Sequence, residues 1–130
     1  MAANNVTPVV AVVSGGGGAK LATWAMIADS TGLPVSFPNY EIASVEGYGT
    51  WDTTGKVLLQ GSNVEGGAGT YASLLDNSGL GGIEAPCEFA SADGFKAPIT
   101  DPLYFRPFTS ANGAGAAIAV TIIALFKPRR

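Results

Sequence analysis

The stretch IASVEGYGTWDTTGKVLLQGSN, Ile42 to Asn63, decides how the chain is read. Its first half alternates as a strand should, with Val45 and Trp51 on one face and Ile42, Glu46 and Tyr48 on the other. Gly47 and Gly49 lie on the Val45 face, where a missing side chain leaves room for a neighbouring aromatic ring or a bulge. Asp52-Thr-Thr-Gly55-Lys56 is turn chemistry, so Val57 to Gln60 is expected to return antiparallel as the second arm of a hairpin. The run then ends abruptly in Gly61-Ser62-Asn63, either as the rim of a site or as the outgoing end of a strand. In the second reading Gln60 and Asn63 satisfy backbone groups where the chain leaves the ladder.

Outward from this hairpin the same grammar repeats. Val6 to Val13 is a β-branched run, Gly15 to Gly18 a turn, and Ala19 to Ile27 a second strand carrying Trp24. Asp29 to Gly32 reads as a turn, and Pro34 and Pro38 bracket an extended edge segment. Thr70 to Leu75 is a short strand with Tyr71, whereas Leu80 to Gly94 has no clear period and is expected to be a long loop or insertion. Asp101 to Phe108 places Leu103, Phe105 and Pro107 opposite Tyr104, Arg106 and Phe108. Ser110 to Gly115 turns into a final strand, Ala116 to Phe126, apolar on both faces and therefore expected to be covered on both.

No amphipathic helix interrupts this pattern. The prediction is an all-β single domain, an antiparallel β-sandwich or jelly-roll-like fold, with a barrel as the other closed topology. Residues 1–8 are expected to form an N-terminal arm, 9–126 the sandwich and 127–130 a basic tail. At 130 residues the chain is long enough for one core, and its 18 glycines and 13% charged residues suit strands joined by tight turns.

Chemistry is sparse. The chain has no histidine, which removes Ser-His-Asp and Cys-His nucleophile pairs. Among Glu41, Glu46, Glu65, Glu84 and Glu88 no spacing marks a facing carboxylate pair. "GGGGAK" fails as a phosphate loop, since Lys20 follows Ala19 and precedes Leu21. Asp52, Asp76, Asn77 and Asp93 fit no calcium loop and read as turn residues. The expectation is no enzyme, no cofactor and no metal. A net charge of −3 with seven scattered Lys and Arg speaks against direct nucleic-acid binding. The single Cys87 excludes an internal disulfide and is expected to be a buried, inert thiol. The N-terminus lacks a signal-peptide layout, and the apolar run from Ala114 to Phe126 is too short for a membrane helix, so no membrane partner is expected. Tyr40, Tyr48, Trp51 and Tyr71 are read first as packing and second as a sugar-binding platform.

Taken in order, Thr23-Trp24, "TGLPVSFPNY" (Thr31 to Tyr40), "GTW" (Gly49 to Trp51), "VLLQGSN" (Val57 to Asn63), "YFRP" (Tyr104 to Pro107) and the closing Ala119 to Leu125 strand form a pattern. It resembles a family of small virion structural proteins of tailed bacteriophages, across most of the chain from Thr23 onward. Val64-Glu65 stands where Asp-Gly is usual in that family, and Leu80 to Gly94 has the look of an insertion.

The resemblance implies a noncatalytic virion component, made in the host bacterial cytoplasm. The leading expectation is a capsid decoration, or cement, protein bound to the major capsid protein at the capsid surface, with a homo-oligomer such as a trimer as a further expectation. A neck or tail component and a carbohydrate-binding adhesion module are the alternatives. The interface candidates are Ala2, Asn4, Asn5, Val6 and Pro8 in the arm, Glu84, Pro86 and Glu88 in the long loop, and Lys127, Arg129 and Arg130 in the tail.

Overall fold

The computed structural model describes residues 4–15, 17–51, 55–64, 70–90, 92–109 and 118–129. The all-β expectation holds: two sheets face each other across an apolar core, and the only helical piece among the described residues is a 3-10 turn at Leu80–Gly82. In chain order the strands are β1 Asn4–Val6, β2 Val9–Val12, β3 Lys20–Ile27, β4 Ser30–Gly32, β5 Tyr40–Thr50, β6 Lys56–Ser62 and β7 Ala72–Ser73. They continue as β8 Leu75–Asp76, β9 Ala85–Pro86, β10 Glu88–Ala90, β11 Gly94–Lys96, β12 Tyr104–Thr109 and β13 Ala119–Pro128. One sheet runs β1-β4-β12-β6-β10, with β7 also on β6, and the other runs β11-β5-β13-β3-β2. All pairings are antiparallel except β1 on β4.

The predicted hairpin between β5 and β6 does not exist. β5 pairs with β13 and β11, while β6 lies in the opposite sheet between β12 and the β7/β10 edge. The chain crosses the sandwich here instead of folding back beside itself, so Val45 and Val57 enter the same core from opposite sheets. β12 and β13 likewise belong to opposite sheets. Alternation identifies the buried face of a strand but leaves its lateral neighbour open.

The alternation itself is largely as read. Val57, Leu59 and Gly61 in β6, Phe105 and Pro107 in β12, and Val120, Ile122, Ala124 and Phe126 in β13 all point inward. Trp24 is fully buried, donates its indole N–H to the Leu33 carbonyl at 2.9 Å, and meets Phe105 edge-on at 5.8 Å. One face assignment fails for a local reason. The register between β5 and β13 slips where Leu125 pairs with Ser44 and Phe126 with Ile42. This bulge leaves Ala43 unpaired and turns Ile42 toward the core beside Val45. The far face of β13 is not covered either: Thr121, Ile123 and Leu125 remain half-exposed.

Several boundaries shift. The first run splits at Thr7-Pro8, where the chain leaves β1 in one sheet and enters β2 in the other. The turn after β3 is Ala28-Asp29, with Asp29 at a φ of 52°, and Ser30–Gly32 is strand. At this corner Ser30 and Thr109 are buried, and the Thr109 hydroxyl accepts the Ser30 N–H at 2.8 Å. The Ser30 hydroxyl in turn donates to the Ile27 carbonyl at 2.6 Å. Val35, expected on an exposed edge, is buried and exchanges both backbone hydrogen bonds with Phe105, at 2.9 and 3.0 Å. The predicted turns at 52–54 and 110–115 lie outside the described residues.

Candidate functional site: a projecting ribbon at the sheet edge

Residues 80–90 and 92–94, expected to be a loop, include the short strands β9 and β10 and the start of β11. β7 and β10 both pair with β6, at Gln60–Gly61 and Lys56–Leu58 respectively, and between them the chain leaves the sheet as a two-stranded ribbon, β8–β9. The fork is closed by a ring of backbone bonds. Leu59 N–H donates to Cys87, Cys87 N–H to Leu74, and Leu74 N–H to Leu59, at 3.1, 2.7 and 2.8 Å. Each of the three side chains is buried, so the ribbon is anchored in the core at its base.

Just beyond the anchor lies Asp76, also buried. Burial alone would raise its pKa, but the Ser78 hydroxyl and N–H and the Cys87 thiol donate to the carboxylate and hold it below its ordinary value. The Cys87 thiol responds oppositely: burial, followed by the Asp76 charge and hydrogen bond, pushes it up to about 12. It is a buried free thiol, held in its neutral form.

At the far end the ribbon turns through Gly79 to Ile83. Gly79 N–H donates to the Ile83 carbonyl at 2.9 Å, and Gly81 and Gly82 both take positive φ. A Cβ on Gly79 would lie 2.6 Å from that carbonyl oxygen, so the tight closure requires glycine there. The turn holds Leu80 95% exposed and Ile83 66% exposed. Leucine and isoleucine this open, together on the turn that closes the ribbon, make an exposed apolar pair at its tip.

The interface candidates do not share a surface. Asn5 and Val6 belong to β1, at the sheet edge opposite β10 and its Glu88. Far from forming a free arm, Asn4–Val6 pairs with Ser30–Gly32, and Val6 packs against the core. Pro8 is half-buried at the sheet crossing. Glu84 and Pro86 are exposed on the ribbon, while Glu88 forms a 3.0 Å ion pair with Lys56. Lys127 is exposed but still within β13, opposite Glu41. Arg129 is tied down by an N–H bond to the Asn39 carbonyl and an ion pair with Asp101. Ala2, Arg130 and the Asn4 side chain lie outside the described residues. Sequence reading missed Leu80 and Ile83, although Gly-Gly between two apolar residues is a recognisable ribbon-turn signal.

The four rings considered as a sugar platform point to different places. Tyr40 meets Phe37 edge-on and lies under Lys20. Trp51 packs by Phe89 and donates to Asp93 at 2.7 Å. Tyr48 is on the outer face of the opposite sheet from Tyr71, which stacks under the Arg106 guanidinium at 3.8 Å. Burial raises the Tyr71 pKa, Arg106 opposes the rise, and the hydroxyl has no hydrogen-bond partner among the described residues. Arg106 Nε donates to Gln60 Oε1 at 2.9 Å, and burial lowers its pKa.

A shallow pocket of about 210 Å³ at one end is lined by Phe37, Tyr40, Asn63, Asp101 and Arg129 among others. Its polar groups are largely occupied by one another: Asp101 by Arg129, and Asn63 Oδ1 by the Leu103 N–H at 2.7 Å. Among the described residues no three Cys, Asp or Glu gather as a metal site, and no helix is long and apolar enough to cross a membrane. Comparison with known proteins gave no match to a family model, a curated protein or a solved structure.

Proposed function

We propose that this chain is a noncatalytic structural protein of a tailed-phage virion, a capsid decoration protein that docks on the assembled shell of the major capsid protein through the β8–β9 tip. The observation that carries the reading is the exposure of Leu80 and Ile83 on an ordered turn whose base is fixed in the core. A rigid apolar knob of this kind supports binding by shape complementarity, which needs no reactive group. The order and spacing of the Trp24, LQGSN and YFRP segments support the virion setting. Burying each tip side chain is worth about 2 kcal/mol, and repetition over a shell multiplies modest single contacts.

The test is co-sedimentation of purified protein with shells lacking it, together with quantitative mass spectrometry of intact particles. Leu80→Ser/Ile83→Ser is expected to weaken shell binding at least about tenfold while leaving the circular dichroism spectrum unchanged. Hundreds of copies per particle support decoration. About a dozen copies, or density only at the neck or tail, would overturn it in favour of a connector component.

A further inference from the structure

β2 is an edge strand with nothing on its outer side among the described residues, and its sequence is Val9-Val10-Ala11-Val12. All four residues are exposed, Val9 at 69%, Val10 at 47% and Val12 at 66%. The hydrogen-bond phase of the strand follows from its turn. Val13 N–H donates to the Ala19 carbonyl at 2.8 Å, and the β2–β3 register continues from that pair through Ala11↔Leu21 to Val9↔Thr23. Hydrogen-bonded residues alternate in an antiparallel ladder, so Val9 and Ala11 address β3. Val10 and Val12 therefore turn their N–H and C=O groups to the open side.

Open edges are normally blunted by charge, proline or shortness. Other edges of this molecule follow that rule. β1 carries Asn4 and Asn5, β9 carries Pro86, β10 carries the Glu88 ion pair, and β11 is three residues long with Lys96. β2 alone among them has neither a charged or polar side chain nor a proline, and Pro8 stops just short of it.

We infer that β2 pairs antiparallel with β2 of a second copy about a two-fold axis through Ala11, joining two five-stranded sheets into one. The occupant follows from self-complementarity. With the axis at Ala11, Val10 stands opposite Val12 of the second copy, and the outward groups of both residues form four hydrogen bonds across the axis. Ala11 faces its own copy in a non-hydrogen-bonded pair, where the backbones are closest, with Cα atoms about 4.5 Å apart, and a small residue fits. Val9 stands opposite Val13, so each pair around the axis is apolar. No charged side chain from Val9 to Val13 opposes the approach. An isologous contact of this kind closes on itself and leaves no further edge of the same type.

This interface is independent of capsid binding and is tested on the purified chain. Light scattering after size exclusion is expected to give twice the 13.1 kDa chain mass. Val10→Lys/Val12→Lys should halve it with unchanged circular dichroism, because both side chains are already exposed in the single chain. Mild oxidation of Ala11→Cys should yield a covalent dimer, since that pair falls within disulfide range, whereas Phe95→Cys at the opposite sheet edge should not. A wild-type monomer, a trimer, or a dimer that survives the lysine pair would overturn the assignment, as would cross-linking through Phe95→Cys in place of Ala11→Cys.

Discussion

Replacing Gly61 with alanine probes the packing at the end of β6 most directly. Gly61 has an ordinary strand conformation and faces the core, with Pro102 and Leu74 lying over it. A Cβ there would stand 2.4 Å from Pro102 Cγ, 2.6 Å from Pro102 Cβ and 2.9 Å from Leu74 Cδ2. Relieving those contacts requires the proline ring to withdraw by about 1 Å, and overpacking of this kind costs about 1–3 kcal/mol. Alanine also reduces the freedom of the unfolded chain, which stabilises by about 0.4–1 kcal/mol, so the clash decides the sign. The net loss of about 1–2 kcal/mol corresponds to a Tm lower by about 4–8 °C for a chain of this size. The measurement is thermal and urea unfolding of wild type, Gly61→Ala, Pro102→Ala and the double variant. Because Pro102 supplies the nearest atoms, the double variant should be more stable than the sum of the single losses implies. Gly61→Ala within about 0.5 kcal/mol of wild type, or a cost unaffected by Pro102→Ala, would refute the packing argument.

Four further outcomes follow from the buried groups. Cys87 should resist alkylation in the folded protein and react on unfolding; its raised pKa means that its contribution to stability is complete below the unfolded value of 9.0 and falls as pH climbs toward about 12. Cys87→Ala should flatten that alkaline decline in pH-dependent urea unfolding. Asp76 behaves in the opposite sense: its lowered pKa contributes stability above the ordinary value of 3.8 that is lost as pH falls, and Asp76→Asn should reduce this acid sensitivity. Thr109→Val keeps the shape but strands the buried Ser30 N–H, at a cost of about 1–3 kcal/mol in equilibrium unfolding. Phe89→Ala empties the space over Gly47, where the ring lies 3.0–3.1 Å from a would-be Cβ, and should cost about 3–5 kcal/mol.

Faces were legible in the sequence because burial has the period of the strand itself. Phe105 and Pro107 are inward and Tyr104, Arg106 and Phe108 half-exposed, as simple alternation requires. The space anticipated over Gly47 is filled by an aromatic ring, that of Phe89. Neighbours were not legible. β5 and β6 have the alternation and connecting turn of a hairpin, yet do not pair with each other: β5 pairs with β11 and β13, and β6 with β7, β10 and β12. The ribbon was hidden for a related reason: its paired segments are only two residues long, too short for any period to register.

The Gly-Ser-Asn ending of β6 shows how such a motif can look like a site and be scaffold. Gly61 is glycine because Pro102 occupies its side-chain space. Ser62 is buried, its hydroxyl accepts the Val64 N–H at 3.1 Å, and the same hydroxyl lies 3.1 Å from that of Thr70. Asn63 accepts the Leu103 N–H and so fixes the approach to β12, whose first residue pairs with Ser62. All three residues therefore serve the junction where β6 ends, β12 begins and the chain departs toward β7. Their polar groups face one another and the backbone, leaving them little to offer a ligand. The exposed apolar side chains lie elsewhere, at the Leu80–Ile83 tip and along β2, in segments that carry no motif; the docking proposed for them rests on exposure and backbone geometry more than on residue type.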